Sequence, residues 1–471
     1  MNPNLLRCLA IIVVMAASCG TQKPDSTRVP GSAETWMTTT LKGERIGYSV
    51  ARRDRFEDGY RFEDVFRMEL SMMGKSQKVR TRTVMRTGLD LTLESFSFRF
   101  ESQDRLMDAT GAVQGNELLV RIEGDRARAI KLDGEVYPMA ALGRLVLDAE
   151  PGSELEFDVF DPATMDVNDV KVTVVGREQV EVGGKTYDAL KVESKVSMFT
   201  ITSWLDSAGM TLVEESPPGM RSERTTPEQA AEGVGGRASL DLLRMFRVEV
   251  DTAIPEPDRV SRAVYGLTGV LPGEFPLEWD NQRLLSEEPL RVEFSVPEVP
   301  GETPAVPLTE PAEFLGPTMT IQCDAPELTR RASEAVAGAG TALEVAEVLT
   351  DWVFLNVEKE PTASFPTALD VLKHMKGDCN EHSVLFAALA RAAGLPAKVS
   401  VGLVYMEGAF YYHAWNEVLL GDVWMPVDAT FGQFPAAALR LKLSEGEIGE
   451  QAKILGVVGR LGIEVESFET D

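Results

Sequence analysis

The sequence predicts a multidomain chain, with an N-terminal, mostly antiparallel β region followed by a C-terminal α+β core. Three observations predict it. From Glu34 to about Glu215 apolar and polar residues alternate with period two, as in YRFEDVFRMEL (60–70), TLESFSFRFE (92–101) and VKVTVVGREQVEV (170–182). From Asp324 the period becomes helical, in APELTRRASEAVAGAG and TALEVAEVLTDWVFLNV. After Gly394 and Pro396 the segments AKVSVGLVYME, FYYHAWNEVLL and VWMPVDATF read as strands again. With 471 residues the chain is too long for one ordinary core, and with 44% hydrophobic residues it is apolar enough to exclude global disorder.

Taken in order, the chain opens with a targeting pattern. Arg7 is a short positive region, Cys8 to Ala17 is an apolar run, and Ala16-Ala17-Ser18 are small, as a processing site requires. The run is far short of the roughly 20 helical residues that span a bilayer. Residues 1–18 therefore read as a signal peptide and 19–33, polar and Pro/Ser/Thr-rich, as a flexible tether. Small residues directly before Cys19 resemble the lipobox of bacterial lipoproteins. That resemblance implies acylation at Cys19 and a lipid anchor in the bacterial cell envelope, facing the periplasm. Gly20 after the cysteine, rather than Asp, points to the outer membrane.

Residues 34–225 read as an N-terminal β domain, with turn signals at 57–59, Gly74-Lys75, 114–116, 133–134 and Gly183-Gly184. A short helix interrupts it near 138–148. Thr226 before Pro227 is a helix N-cap with proline at the first helical position. Residues 226–296 carry further alternation and read as a second β module or a continuation of the first. Six prolines from Pro297 to Pro317 remove backbone donors that a ladder needs, so 297–321 reads as an extended linker. The remainder, 322–471, is expected to be a domain able to fold by itself.

Charge and composition exclude several functions. Against 47 Lys and Arg stand 74 Asp and Glu, a formal net charge of -27, and such a chain repels phosphate backbones, so nucleic acid is not a partner. His374, His382 and His413 are the only histidines, which excludes sites built from several imidazoles. Cys8, Cys19, Cys323 and Cys379 do not make a disulfide scaffold. His374, Cys379 and His382 lack a fourth zinc ligand, and no EF-hand spacing occurs, so neither a metal nor a cofactor is expected.

The chemistry concentrates around Cys379. Asp378, with Glu381 three residues later, is a capping box that starts a helix at Cys379. Helix N–H groups and the dipole favour a thiolate there, opposed modestly by the Asp378 charge. His413 lies on a predicted strand and Asp428 on the next. If the hairpin turns on Leu420-Gly421 the two face each other; if it turns on Gly421-Asp422 they are diagonal on the same face. Either register supplies a base and its orienting carboxylate opposite a cysteine at a helix N-terminus, the papain-type arrangement. Trp415, two residues after His413, points to the same face and shields the pair.

GDCNEHSVLFAALARAAGLPAKVSVGLVY and YYHAWNEVLLGDVWMPVDATFG together resemble the bacterial transglutaminase-like domain, from about residue 335 to 445. The three motifs G-D-C-x-E-H, H-A-W and D-x-T occur in order. The resemblance implies a papain-like α+β core with Cys379 as nucleophile, His413 as base and Asp428 as orienter. It makes Trp352 a candidate donor on the oxyanion side, by likeness to eukaryotic members. It differs from close relatives at Ala429, where many have proline, and at Pro435 to Ala438 and Arg440, where some have Asp and His. Segment 203–230 resembles the closing strands of a domain found ahead of such domains in bacteria. His382, a same-helix neighbour of Cys379, takes a supporting role, and Cys323 is expected to be a free thiol.

The function expected is a cysteine enzyme of the cell envelope. It would transfer or cleave a carboxamide or peptide acyl group of a protein or peptide substrate through a thioester. The alternative is a catalytically degenerate envelope lipoprotein whose β domain binds peptide, glycan or lipid.

Overall fold

The computed structural model describes residues 30–470 except 73–74, 104, 197–198, 233–246, 251, 448, 451–453 and 458. The signal segment, Cys8 and Cys19 lie outside the described residues.

The period-two alternation becomes a single sheet of fifteen strands among the described residues. In chain order these are β1 (Ala33–Leu41), β2 (Glu44–Arg55), β3 (Tyr60–Met72), β4 (Lys75–Thr87), β5 (Leu93–Ser102), β6 (Arg105–Gln114), β7 (Glu117–Ile122), β8 (Arg128–Lys131), β9 (Val136–Pro138), β10 (Glu154–Asp161), β11 (Asp166–Val182), β12 (Lys185–Val196), β13 (Phe199–Leu205), β14 (Thr211–Ser216) and β15 (Met220–Thr225). Two meanders meet at the centre, where β1 pairs antiparallel with β15. Within this sheet, among the described residues, only β9 and β10 pair in parallel. The sheet curls until its two halves meet: Phe96 of β5 and Phe160 of β10 have ring centroids 4.7 Å apart, within a core shared with Phe98, Leu118 and Val136. The other half of the concave face is hollow. A cavity of about 360 Å³ is lined there by Phe62, Leu142, Val172 and Leu205, together with the carboxyls of Asp64 and Glu214. Leu142 opens the short helix α1 (Leu142–Leu145). Thr226 caps α2 (Pro227–Ala231), its hydroxyl accepting from the Gln229 N–H.

Among the described residues the rest of the chain forms three further sheets and a helical layer. Its elements are β16 (Val248–Glu249), β17 (Val260–Thr268), β18 (Gln282–Glu287), β19 (Leu290–Ser295), α3 (Pro326–Ala335), α4 (Ala342–Asn356), β20 (Glu358–Lys359), α5 (Ala368–His374), β21 (Lys376–Gly377), α6 (Cys379–Ala392), β22 (Ala397–Met406), β23 (Ala409–Leu420), β24 (Val423–Val427), β25 (Arg440–Glu445) and β26 (Gly462–Thr470). Helix α6 is apolar on nearly every face and is buried from Glu381 to Arg391, as a helix at the centre of a core must be. Helices α3, α4 and α5 pack on one side of it, and β22 and β23 on the other. Sheet β16-β23-β22-β25 carries β24 beside β23. Gly402 of β22 lets β25 approach closely, since a Cβ there would meet the Leu441 carbonyl oxygen at 1.9 Å.

The division expected at 297–321 does not separate two cores. Strand β17 pairs with the final strand β26, and Val260, Tyr265 and Phe294 belong to the same apolar cluster as α3, α4 and α6. Gln282 stitches the sheets together, its amide donating to the Lys442 carbonyl (2.9 Å) and accepting from the Lys442 N–H (2.8 Å). The Pro-rich segment lies along the helical layer and includes a helical turn at Ala312–Phe314. Its remaining donors find turn carbonyls: Val306 N–H donates to Gly340 (3.1 Å) and Leu308 N–H to Gly394 (2.8 Å). Proline removes a ladder donor; it does not stop neighbouring residues from bonding elsewhere.

Candidate active site

Cys379 is the first residue of α6. The Asp378 side chain accepts from the Asn380 N–H (2.9 Å) and the Glu381 carboxylate accepts from the Asp378 N–H (2.8 Å), which completes the capping box. His413 sits on β23 opposite Gly402 of β22. The hairpin turns on Gly421-Asp422, with Leu420 opposite Val423 and Asn416 opposite Val427. Gly421 takes the positive φ (68°) that the turn requires. Asp428 is therefore diagonal to His413 on the same face, the second of the two registers expected.

The two side chains meet. His413 Nε2 lies 2.7 Å from Asp428 Oδ2, with His413 5% exposed and Asp428 fully buried. Asp428 begins a tight loop in which its N–H and carbonyl bond the carbonyl and N–H of Gln433. Its Oδ1 accepts from the Thr430 and Phe431 N–H groups (3.0 and 3.1 Å). Its Oδ2 also accepts from Arg440 Nη2 (2.6 Å), a guanidinium 1% exposed. Burial alone would favour protonated Asp428. His413 and Arg440 overcome it and hold the carboxyl well below the usual carboxylate range. The Phe431 ring stacks on the imidazole at 4.8 Å, and Trp415 lies parallel to it at 6.4 Å, itself fully buried and within 6.0 Å of the Arg440 guanidinium.

One earlier strand, β17, holds this loop in place at two points. Tyr265 of β17 donates its hydroxyl to the Ala438 carbonyl (2.7 Å), and the Ala438 N–H donates to the Val260 carbonyl (2.7 Å). Residues far upstream of the motifs thus fix the segment from Asp428 to Arg440.

The surroundings of Cys379 oppose the thiolate that the helix N-terminus favours. Burial first, then the neighbouring Asp378, and further Glu381 and Asp428, push the thiol well above its ordinary value. The Ala414 backbone amide, next to His413, acts the other way but is outweighed. Burial and the Glu381 carboxylate push the Asp378 carboxyl up as well. The helix N-terminus is present as predicted, but for the partly exposed Cys379 the loss of solvent and the neighbouring carboxyls outweigh it.

The supporting candidates separate. His382 is fully buried, its Nδ1 2.6 Å from the Asp378 carbonyl, and burial lowers its pKa, so it is a neutral part of the helix start. Trp352 of α4 is half-buried beneath the Arg331 guanidinium of α3 (5.6 Å). Cys323 and Cys379 are both free thiols. Among the described residues no group of three or more His, Cys, Asp or Glu is arranged to hold a metal ion. Two residues of the site were given no role from sequence: Phe431, and Arg440, which was noted only as a departure from close relatives. A cation inside the apolar run PAAALRLKL was the available signal for Arg440, because a charge enclosed by apolar neighbours requires a buried partner.

Residues 329–429 match the transglutaminase-like superfamily core. The C-terminal α/β region contains a transglutaminase-like domain. This transglutaminase-like domain includes Cys379, His413 and Asp428, while Arg440 falls beyond the matched residues. No curated protein matches the chain. Among solved structures, a candidate cysteine protease from Cytophaga hutchinsonii is 19% identical, with 45% of this chain and 87% of that chain covered and a TM-score of 0.33. A β-barrel-like protein of a domain of unknown function from Brucella abortus is 16% identical, covering 41% and 95%, with a TM-score of 0.35. A candidate protease from Parabacteroides distasonis is 12% identical, covering 76% and 68%, with a TM-score of 0.22.

Proposed function

We propose that this chain is a cysteine enzyme of the cell envelope that transfers or hydrolyses a carboxamide or peptide acyl group through a thioester on Cys379. The observation that carries the reading is the 2.7 Å bond from His413 Nε2 to a carboxylate fixed by Arg440 and two backbone N–H groups. With Nε2 engaged, Nδ1 is the nitrogen left to take the Cys379 proton. Surroundings that disfavour the thiolate have the proton move to His413 as sulfur attacks the carbonyl carbon, rather than beforehand. The backbone N–H of Cys379 donates to the oxyanion. Imidazolium then protonates the departing amine and leaves a thioester. Water or an amine, deprotonated by His413, releases the acyl group and regenerates the thiol. A protein or peptide is the substrate, and a lipid on Cys19 anchors the enzyme at the periplasmic face of the outer membrane.

The test is to incubate the protein with a peptide mixture at neutral pH, quench in acid and look for an adduct by mass spectrometry. A thioester on Cys379 that is absent from Cys379→Ala supports the reading. Release of free acid or incorporation of dansylcadaverine then tells hydrolysis from transfer. No adduct on any substrate class would favour the second reading, a binding lipoprotein, for which the cavity of about 360 Å³ in the β domain speaks. For the anchor, Cys19→Ser should leave the membrane fraction or fail to be processed.

A further inference from the structure

Arg105 opens β6 in the N-terminal sheet, yet its guanidinium serves the transglutaminase-like domain. The residue is 3% exposed. One nitrogen donates to the Asp370 carboxylate in the first turn of α5, and the other donates to the Lys376 carbonyl at 2.6 Å. Lys376 stands three residues before Cys379, in the connection from α5 to α6. That connection includes Met375 in the left-handed region (φ 51°), an unfavourable conformation for a side chain of this size that its surroundings must hold.

A second link runs the opposite way. Strand β20 pairs with β21 beside the same connection, with Glu358 N–H bonded to the Met375 carbonyl (2.9 Å) and Glu360 N–H to Gly377 (3.0 Å). The chain then crosses to the β domain. The Pro361 carbonyl accepts from the Gln77 amide of β4 at 3.1 Å. Phe365, 5% exposed, is a member of the β-domain core that contains Phe96 and Phe98. Between them Ser364 donates its hydroxyl to Glu381, whose other oxygen accepts from the Asp378 N–H. A strap from 360 to 367 is therefore fastened in the β domain and again on the capping box of the helix that starts at Cys379.

We infer that the N-terminal β domain positions the Cys379 site, with Arg105 as the positioning residue and the strap as its second hold. The inference rests on the reading of Cys379 as the nucleophile. Its physical basis is tolerance. A thiol can be alkylated from a range of positions, but an oxyanion is stabilised only when backbone donors sit within tenths of an ångström of where charge develops. The N–H groups at the start of α6 can drift if the Lys376 carbonyl is released. Loss of Arg105 should therefore harm acyl transfer far more than it harms thiol reactivity.

The experiment uses the full-length protein and two probes. p-Nitrophenyl acetate reports acylation through the burst of p-nitrophenol, and iodoacetamide reports alkylation of Cys379, with Cys323 as the internal reference. Arg105→Ala should lower the acylation rate by ~10- to 100-fold, up to what one lost oxyanion donor costs. Alkylation of Cys379 should change by less than about threefold, with its pH midpoint unmoved. Arg105→Lys keeps a cation for Asp370 and should give the same split at smaller size, and it becomes the deciding variant if alanine is not tolerated. Equal loss of acylation and alkylation alongside a lower melting temperature would mean a merely structural contact and overturn the inference. So would acylation at the wild-type rate. If the wild-type protein itself shows no burst beyond that of Cys379→Ala, the nucleophile assignment fails first, and the inference falls with it.

Discussion

Four donors converge on Asp428: His413 Nε2, Arg440 and the N–H groups of Thr430 and Phe431. A buried carboxylate persists only when its lone pairs are occupied and its charge is matched. Its folded pKa is depressed, so its contribution to stability is present above the unfolded value and is lost as pH falls through the folded one. Asp428→Asn should therefore cost about 3 kcal/mol at pH 7, because it strands the Arg440 cation, and the gap should close only in strong acid. Turnover should fall by ~10⁴-fold through loss of the orienting anion. Urea melts at pH 7 and pH 3, with the double variant Asp428→Asn/Arg440→Met, check this. The double variant should regain stability without regaining activity.

The strands of the β domain show what alternation does and does not encode. Phe62 and Asp64 are two apart on β3 and line the same cavity. One fits an interior and the other does not. Burial first, then the Glu214 and Glu63 charges, push Asp64 up to about 7. Since the folded value is raised, the fold binds the proton more tightly than the unfolded chain, and stability is lost as pH rises from about 4 towards 7. Asp64→Asn should remove that loss. It should be more stable than the parent at pH 8 by on the order of 2 kcal/mol, discounted because the cavity admits water, and level with it near pH 4. Thermal melts at the two pH values decide. A variant less stable at pH 8 would mean that the carboxylate has a partner in the folded chain.

At the scale of the whole molecule, one core runs from Ile254 to Val465 across the Pro-rich segment. A chain beginning at residue 318, where the sequence suggested a boundary, would lack Val260, Ala263, Tyr265 and Phe294, all at or below 1% exposure in the intact fold. Each large apolar side chain lost from such a core removes roughly 1.5–3 kcal/mol, against a total stability of about 5–15 kcal/mol. Strand β26 would also lose its partner β17. The truncated chain should therefore bind a hydrophobic dye and unfold without a cooperative calorimetric peak. A sharp transition would show that β17 to β19 are dispensable.

Local chemistry was legible in the sequence. Period two marked the strands, period 3.6 marked α3, α4 and α6, and Asp378 with Glu381 fixed the start of the helix at Cys379, because these signals depend on neighbours a few residues away. The pairing of His413 with Asp428 was legible for the same reason: a hairpin turn ties the two strands, and only its exact register stayed open. Tertiary structure alone decided the rest. Arg440 reaches Asp428 across a loop, Tyr265 holds that loop from a strand 173 residues away, and Arg105 meets Lys376 from another sheet. The upward push on the Cys379 thiol belongs to this second group, since the sequence places Asp378 and Glu381 near Cys379 but does not show how far desolvation outweighs the helix N-terminus. Charge and burial act through space at a strength set by the surrounding dielectric, and no stretch of sequence carries that dielectric in its pattern.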